Sequence, residues 1–286
     1  MRMYYNSIPG LNSTAPGAVP AYFTDMAAQL QADGAPDGAF IIPQLGLQLP
    51  LNGQESLVGS GAYDNAISAL VSGLVALARP AFIRVGYEFN GPWNSYKPAT
   101  YVSAYRRIAA AIRGHPLLNS TVALVWDGSC DTAVDPTPFF PGSDVVDWQG
   151  VNIFSGASAP TATAAGQCLA YWLTDSAAAG YPLMLGESSP RGLNTSHPAT
   201  LAAWHAPYLS LLARTDTSIK AFCYIDEDWE ATPRWKGWGE SRIEVATQGL
   251  KDSWRAGLSR QAVANRAQKA QVLQLLGLER GVYDEV

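Results

Sequence analysis

The chain has 286 residues, a formal net charge of −5 at pH 7 and a hydrophobic content of 48%. This length and composition suit one large α/β domain. The acidic balance, without a stretch dense in Lys and Arg, excludes nucleic acid as an expected partner. Because the sequence has no uninterrupted apolar run of about 18 residues, we expect no membrane partner either.

Short apolar segments alternate with amphipathic ones along the chain. Apolar stripes with helical spacing run from Ile67 to Ala78, from Tyr101 to Ile112 and from Leu201 to Leu212. Together with the strands, they predict a parallel α/β fold. No Gly-x-Gly-x-x-Gly turn follows the first strand, which favours a TIM-type (β/α)8 barrel over a doubly wound sheet. The predicted strands are Arg2–Ile8, Ala39–Leu47, Ala81–Glu88, Thr121–Trp126, Val145–Phe154, Pro182–Gly186 and Ile219–Ile225.

Seven strands are predicted where a TIM-type barrel needs eight. Because Arg2–Ile8 begins at residue 2, we expect the first barrel strand to be missing from this chain. Residues 1–257 are assigned to the barrel catalytic domain and residues 258–286 to a C-terminal helical extension. Three interpretations of the helix predicted at Leu258–Leu278 remain open. It is an ordinary outer helix of the barrel, it covers the gap left by the missing first strand, or it forms the contact between subunits of a homo-oligomer.

The N-terminus lacks the apolar core of a secretory signal peptide. Two interpretations remain open: the protein is not secreted by that route, or it is extracellular and its leader is missing from this chain.

Cysteine and histidine patterns exclude several kinds of chemistry. Cys130, Cys168 and Cys223 have no C-x-x-C spacing, so a zinc site is not expected. Their odd number leaves at least one free thiol, with or without one bridge. The three histidines form neither H-x-x-x-H nor H-E-x-x-H, and no G-x-S-x-G elbow is present. We therefore expect no metal, no cofactor and no serine nucleophile.

Two glutamates follow predicted strands, at the position where parallel barrels carry their catalytic groups. Glu88 and Glu187 are separated by 187 − 88 = 99 residues, which spans three strand–helix units of about 33 residues each. This spacing would place them facing each other across the barrel mouth, as glycoside hydrolysis requires of its two carboxylates. In the alternative interpretation both are structural and pair with Arg84 and Arg191.

The run Arg84-Val85-Gly86-Tyr87-Glu88-Phe89-Asn90-Gly91, followed by Trp93, resembles the fourth-strand motif of glycoside hydrolase family 26. This is a clan-A family of β-mannanases and related glycanases. The segment Phe140–Val151 resembles the family's sixth-strand entry, and Gly186-Glu187 stands where the family has its nucleophile. The resemblance covers about residues 39–240. It implies that Glu88 is the acid/base and Glu187 the nucleophile of a retaining mechanism.

Two positions depart from the family pattern. Tyr87 precedes the acid/base glutamate where the family has His. Phe154 ends the sixth strand, where the family tends to have a Tyr that hydrogen-bonds the nucleophile, and Tyr224 is the expected substitute donor. These departures indicate a divergent relative. They leave two alternatives open, a non-catalytic carbohydrate-binding barrel and a barrel enzyme that uses Glu for proton abstraction.

The expected ligand is a β-linked polysaccharide or oligosaccharide of the mannan, glucan or xylan class, and the sequence does not choose among them. Aromatic rings at strand ends and in the following loops would stack on sugar rings, while amide groups would bind hydroxyls. Trp235 and Trp238 are instead expected to clamp their loop. The substrate-binding candidates are Arg84, Tyr87, Asn90, Trp93, Gln44, Asn6, Trp126, Phe154, Tyr224 and Trp229.

Overall fold

The computed structural model describes residues 2–8, 22, 23, 25, 26, 28, 41–155 and 164–259. The chain divides into two compact units. Among the described residues, the first unit holds those up to 127 together with 135–148, and the second holds 128–134 and those from 149 onward.

The first unit is built on parallel strands that pair in chain order. They are β1 (Arg2–Ile8), β2 (Ile41–Leu47), β3 (Ala81–Val85) and β4 (Val122–Ser129), of which the last two residues belong to the second unit. The helices are α1 (Glu55–Gly59), α2 (Asp64–Leu77), α3 (Pro98–Arg113) and α4 (Pro116–Thr121).

The helices form where the apolar stripes predicted them. α2 buries Ile67, Leu70 and Leu74, and α3 buries Tyr101 and Ile108 with others of the same stripe. α3 begins with proline, whose fixed φ suits the first helical position. These stripes turn apolar side chains toward the sheet, and their burial from water is the main stabilising contribution.

Among its described residues, the second unit contains the parallel strands β5 (Trp148–Ile153, whose first residue belongs to the first unit), β6 (Leu183–Ser188) and β8 (Ile219–Tyr224), paired in that order. A separate small sheet pairs β7 (Leu193–Asn194) with β9 (Gly239–Glu240) in parallel. The helices are α5 (Ala164–Ala179), α6 (Ala206–Leu212), which follows a π-helical turn at Leu201–His205, and α7 (Gln248–Leu258).

All seven predicted strands are present; β1 has the predicted bounds, and the bounds of several others differ. β3 ends at Val85, because the chain leaves the extended conformation at Gly86 and Glu88, whose φ values are 57° and 54°. β4 continues past Trp126 to Ser129, and β5 begins at Trp148 instead of Val145. The predicted C-terminal helix lies, after its first two residues, outside the described residues, so the boundary at 257/258 stays a prediction.

Of the three cysteines, two form a disulfide and one is a free thiol. Cys130, directly after β4, is bonded to Cys168 of α5 with a Cα–Cα distance of 5.6 Å, and Cys223 is buried and free. Disulfides of this kind persist in oxidising compartments. None of the described helices is both long and apolar enough to cross a bilayer.

Candidate active site

Glu88 lies just beyond the carboxyl end of β3 in a strained backbone conformation. Its φ of 54° is in the left-handed region, which costs a residue with a Cβ roughly 1 kcal/mol. Its N–H donates to the Asp127 carbonyl at 2.8 Å, and its own carbonyl accepts from the Gly91 N–H at 2.8 Å. Strain of this kind is concentrated at functional sites, where the surrounding structure enforces it.

Asn94 stabilises this turn and was not found by the sequence analysis. Its side chain is buried, and its amide donates to the carbonyls of Tyr87 and Glu88, both at 3.0 Å. Two consecutive carbonyls are therefore held by one side chain. Asn94 binds backbone carbonyls. Because such a role does not require a catalytic sequence motif, no motif pointed to this residue.

Trp93 combines exposure with a contact to Glu88. Its side chain is 46% exposed, and its Nε1 donates to Oε2 of Glu88 at 2.8 Å. The indole lies against Gly91, where an added Cβ would be 2.3 Å from the nearest ring atom. A large exposed ring held beside a carboxylate is suited to stack on a sugar, as the sequence predicts.

Arg84 and Asp127 form a fully buried ion pair with an Nη1–Oδ2 distance of 2.9 Å. The Arg84 guanidinium carbon also lies 5.0 Å from the centroid of the Tyr87 ring. Through the contact of Arg84 with Tyr87, the ion pair therefore supports the turn that carries Glu88. Asn90 of the same turn is buried as well.

Trp126, which was expected to stack on sugar, is packed inside the protein in this structure. It is 1% exposed, its ring stacks on Phe89 at 4.9 Å with an interplanar angle of 9°, and Phe89 packs on Tyr101 of α3. Because β4 continues past Trp126, this residue is inside the strand and faces the helix layer. Its neighbour Asp127 points to the opposite face, as alternation along a strand requires.

Two further candidates lie within strands instead of at their ends. Gln44 is the fourth residue of β2, is fully buried and pairs in register with Phe82 of β3. Asn6 lies in β1 opposite Leu45. The structure describes the backbone of Asn6 but not its side chain, so its role in binding substrate stays a prediction.

Glu187 is the fifth of six residues in β6 and is 7% exposed. The next residue, Ser188, points to the helix layer: its hydroxyl donates to the Cys223 carbonyl at 2.6 Å and contacts the Tyr208 hydroxyl at 2.7 Å. Successive strand residues face opposite sides. Glu187 therefore points away from α6.

The expectation that Tyr224 hydrogen-bonds Glu187 is wrong. The Tyr224 hydroxyl donates to the Ser241 carbonyl at 2.6 Å and contacts Nε2 of His205 at 3.1 Å. Its ring packs against Trp254 of α7. Tyr224 pairs in register with Ser188 and shares its orientation toward the helices.

Burial raises the pKa of Tyr224 well above its usual value and lowers the pKa of His205 to about 4.

Phe154 and the tryptophan cluster, which we define as Trp229, Trp235 and Trp238, form one packed layer. Phe154 is buried, so it is not open to a sugar, and its ring meets Trp238 edge to face at 5.1 Å. Trp238 also carries the Arg191 guanidinium over its ring at 4.5 Å. Trp229 is half-buried and contacts both other tryptophans. Trp235 and Trp238 thus pack as loop-clamping residues.

The loop that carries this cluster is fixed by charged groups. Glu230 accepts the N–H groups of Gly237 and Gly239 at 2.8 and 3.0 Å, which lowers the pKa of its carboxyl. The pairing of β7 with β9 joins this loop to the one that follows β6. Arg191 forms an ion pair with Asp131 at 3.5 Å. The second unit thus carries an aromatic wall, formed by Phe154 and the tryptophan cluster.

Two cavities lie outside the immediate surroundings of the two acids. One, of about 150 Å³, is lined by residues such as Ala81 and Val122 at the amino ends of their strands, the end opposite to Glu88. The other, of about 440 Å³, is lined by Asp226, Ile243, Glu244, Lys251, Trp254 and Arg255. Burial raises the pKa of Asp226. Among the residues that the structure describes, no cluster of His, Cys, Asp and Glu is arranged to hold a metal ion.

Comparison with known sequences identifies two β-1,3-xylanases. The chain is 28% identical over 252 residues to the enzyme of Alcaligenes sp, covering 76% of this chain and 50% of that protein. It is 27% identical over 295 residues to β-1,3-xylanase TXYA of Vibrio sp, covering 86% and 61%. The chain thus spans about half to three-fifths of the length of these relatives. No family model matches the sequence.

Comparison with solved structures identifies family 26 proteins. GH26C from Muricauda sp. MAR_2010_75 aligns with a TM-score of 0.65 at 12% identity, covering 97% of this chain and 81% of the other. A GH26 β-mannanase from Bacteroides ovatus aligns with a TM-score of 0.64 at 12% identity, covering 97% and 84%. The chain has their fold. The TIM-type α/β barrel class and the divergent resemblance to family 26 are therefore confirmed.

Proposed function

We propose that this protein is a glycosidase that cleaves β-linked polysaccharide, with Glu88 as acid/base and Glu187 as nucleophile. The observation that carries the proposal is the surroundings of Glu88: a carboxylate beyond a strand's carboxyl end, on a strained turn, hydrogen-bonded to an exposed indole. Strain without a structural benefit at a strand end is a mark of a functional residue. In this fold class, catalytic groups occupy that end of the strands.

Glu187 has independent support as the second acid. It is nearly buried at the carboxyl end of β6, and it points to the face away from α6. A carboxylate in that position is costly unless it is bound or used. The fold similarity to family 26 and the resemblance of Gly186-Glu187 to the family's nucleophile position support the same role.

The proposed reaction has two steps. First, Glu187 attacks the anomeric carbon while the Glu88 carboxyl gives its proton to the leaving oxygen, so the glycosidic C–O bond breaks and a glycosyl-enzyme ester forms. Then Glu88 takes a proton from water as the water oxygen bonds to the anomeric carbon and the ester bond breaks. The product keeps the β configuration.

β-1,3-Xylan is the first substrate to test, because both sequence relatives are β-1,3-xylanases. β-Mannan and β-1,3- and β-1,4-glucan complete the panel, since 12% identity to mannanases gives no argument about the sugar. The half-buried Trp229 and the exposed Trp93 are the proposed sugar-stacking residues.

The test is release of reducing ends from this panel by the wild-type chain, Glu88→Gln and Glu187→Gln. We expect each variant to lose activity by roughly 10²–10⁴-fold or more with an intact fold by circular dichroism. Glu244→Gln, the same change at an exposed residue, should retain activity. Near-normal turnover in either active-site variant contradicts the assignment.

The mechanism is tested separately. A 2-fluoro-xylobiosyl fluoride should trap the ester, and peptide mapping should locate the added mass on Glu187. Early ¹H NMR spectra should show the β anomer, whereas the α anomer first would mean inversion. If no glycan is cleaved but calorimetry detects binding that survives loss of both acids, the chain is a carbohydrate-binding barrel instead.

A further inference from the structure

Trp93 contacts one particular oxygen of Glu88. Its Nε1–H donates to Oε2 at 2.8 Å. An indole N–H can only donate a hydrogen bond, because its nitrogen has no free lone pair that could accept one. When the Glu88 carboxyl is neutral, its carbonyl oxygen accepts a hydrogen bond better than its hydroxyl oxygen does, so the indole N–H favours the form in which Oε2 is the carbonyl oxygen. The proton therefore belongs on Oε1.

The backbone between the two residues is folded to make this contact. The Gly91 N–H donates to the Glu88 carbonyl at 2.8 Å and the Asn94 N–H to the Gly91 carbonyl at 3.1 Å, which gives two consecutive turns. The indole then lies close against Gly91, since a Cβ there would come within 2.3–2.7 Å of three of its atoms. At Gly91, the close approach of the ring requires glycine.

We infer that Trp93 is a positioning residue that keeps Oε2 of Glu88 as an acceptor and so makes Oε1 the oxygen that exchanges the proton with substrate. The inference rests on the proposed acid/base role of Glu88. In the first step, the Oε1–H bond breaks as the leaving oxygen is protonated. In the second, Oε1 takes the proton of the attacking water. Trp93 keeps its own hydrogen throughout.

The first test compares Trp93→Phe, which keeps a ring and loses the N–H, with Trp254→Phe in α7, the same change outside the proposed site, as the control. We expect kcat on polysaccharide to fall roughly ten- to a hundredfold, the range of one hydrogen bond to a charged group. An aryl glycoside with a good leaving group, which needs no acid in the first step, should lose less. Trp254→Phe should keep the wild-type kcat.

The pH profile separates positioning from sugar stacking. Without the N–H, the ionised carboxylate is less stabilised, so the alkaline limb of kcat/KM should move to higher pH in Trp93→Phe. Lost stacking alone would raise KM and leave both limbs in place. An unchanged alkaline limb therefore overturns the inference.

Gly91→Ala provides an independent perturbation. The new Cβ should displace the indole and reproduce both the loss and the shift of Trp93→Phe. Because both changes break the same contact, the double variant should be little worse than either single variant. Additive losses would mean that the two residues act separately.

A readout without turnover separates this inference from the proposed function. The ¹⁵N–¹H resonance of the Trp93 indole should shift with pH in the wild type and stay constant in Glu88→Gln. If it titrates while no glycan is cleaved, the positioning contact stands and the proposed function fails. If glycan is cleaved and the resonance does not titrate, the inference fails and the function stands.

Discussion

Arg84 and Asp127 hold each other at 2.9 Å in a site closed to solvent, directly beneath the turn that presents Glu88. Loss of one partner would leave the other charge buried and uncompensated, which costs about 3–5 kcal/mol. We expect Arg84→Met to lower the free energy of unfolding by that amount in urea denaturation. The double variant Arg84→Met/Asp127→Leu should recover part of it. A single variant as stable as wild type would show that the pair is not buried in solution.

Asn94→Ala should loosen the backbone that carries Glu88. Two carbonyl groups lose their donor, which costs about 1–3 kcal/mol for buried groups. We expect lower stability and lower kcat, measured by urea denaturation and by turnover on the glycan that proves to be the substrate. Asn119→Ala, at an exposed position, is the control. Equal effects in both variants would contradict the role of Asn94.

The strain at Glu88 should appear as a stability difference between two inactive variants. In most positions glycine is less stabilising than alanine. At a φ of 54° the order should reverse, with Glu88→Gly more stable than Glu88→Ala by about 1 kcal/mol. Thermal or urea unfolding of the pair measures this. The usual order, with alanine more stable, would mean that the turn relaxes in solution.

The Cys130–Cys168 bridge closes a loop with a sequence separation of 38 residues. Its removal in Cys130→Ser/Cys168→Ser should lower the free energy of unfolding by about 2–4 kcal/mol. Cys223→Ala tests whether loss of a thiol by itself matters. Treatment with a reductant should destabilise the wild type and Cys223→Ala, but not the double serine variant, whose stability should be unchanged.

His205 makes stability depend on pH. Burial lowers its folded-state pKa to about 4, against about 6.5 in the unfolded chain, so the unfolded state binds more protons between these values. Stability is therefore complete above pH 6.5 and falls as the pH drops toward 4, with an expected loss of about 2–3 kcal/mol by pH 4.5. His205→Gln should remove this component, whereas His197→Gln, at an exposed site, should keep it.

Strand positions were predictable because apolar runs and helical stripes are local patterns. The errors arose where the chain departs from regular geometry. Gly86 and Glu88 have positive φ, which ended β3 early, and β4 continues past Trp126, which placed that ring in the helix layer. Neither the positive φ values nor the extra length of β4 can be recognised from the spacing of apolar residues in the sequence.

The error at Tyr224 has a related cause. The register between β6 and β8 shifts between Leu185 and Ser188, so counting residues along the two strands does not tell which residue of β6 pairs with Tyr224. Asn94 left a weaker trace, since Asn is a common turn residue that bonds nearby backbone groups. Cysteine pairing was undecidable, because three cysteines allow several choices until the chain is folded.

The small sheet of β7 and β9 has a consequence for how this fold can diversify. Leu193–Asn194 and Gly239–Glu240 belong to loops more than forty residues apart in sequence, yet they are joined by backbone hydrogen bonds. An insertion in one loop would pull on the other and on the aromatic wall that both support. Under the proposed function, in which Trp229 stacks on sugar, changes of glycan preference through this wall should therefore arise by paired alterations of the two loops, and grafting one loop alone from a relative should fail.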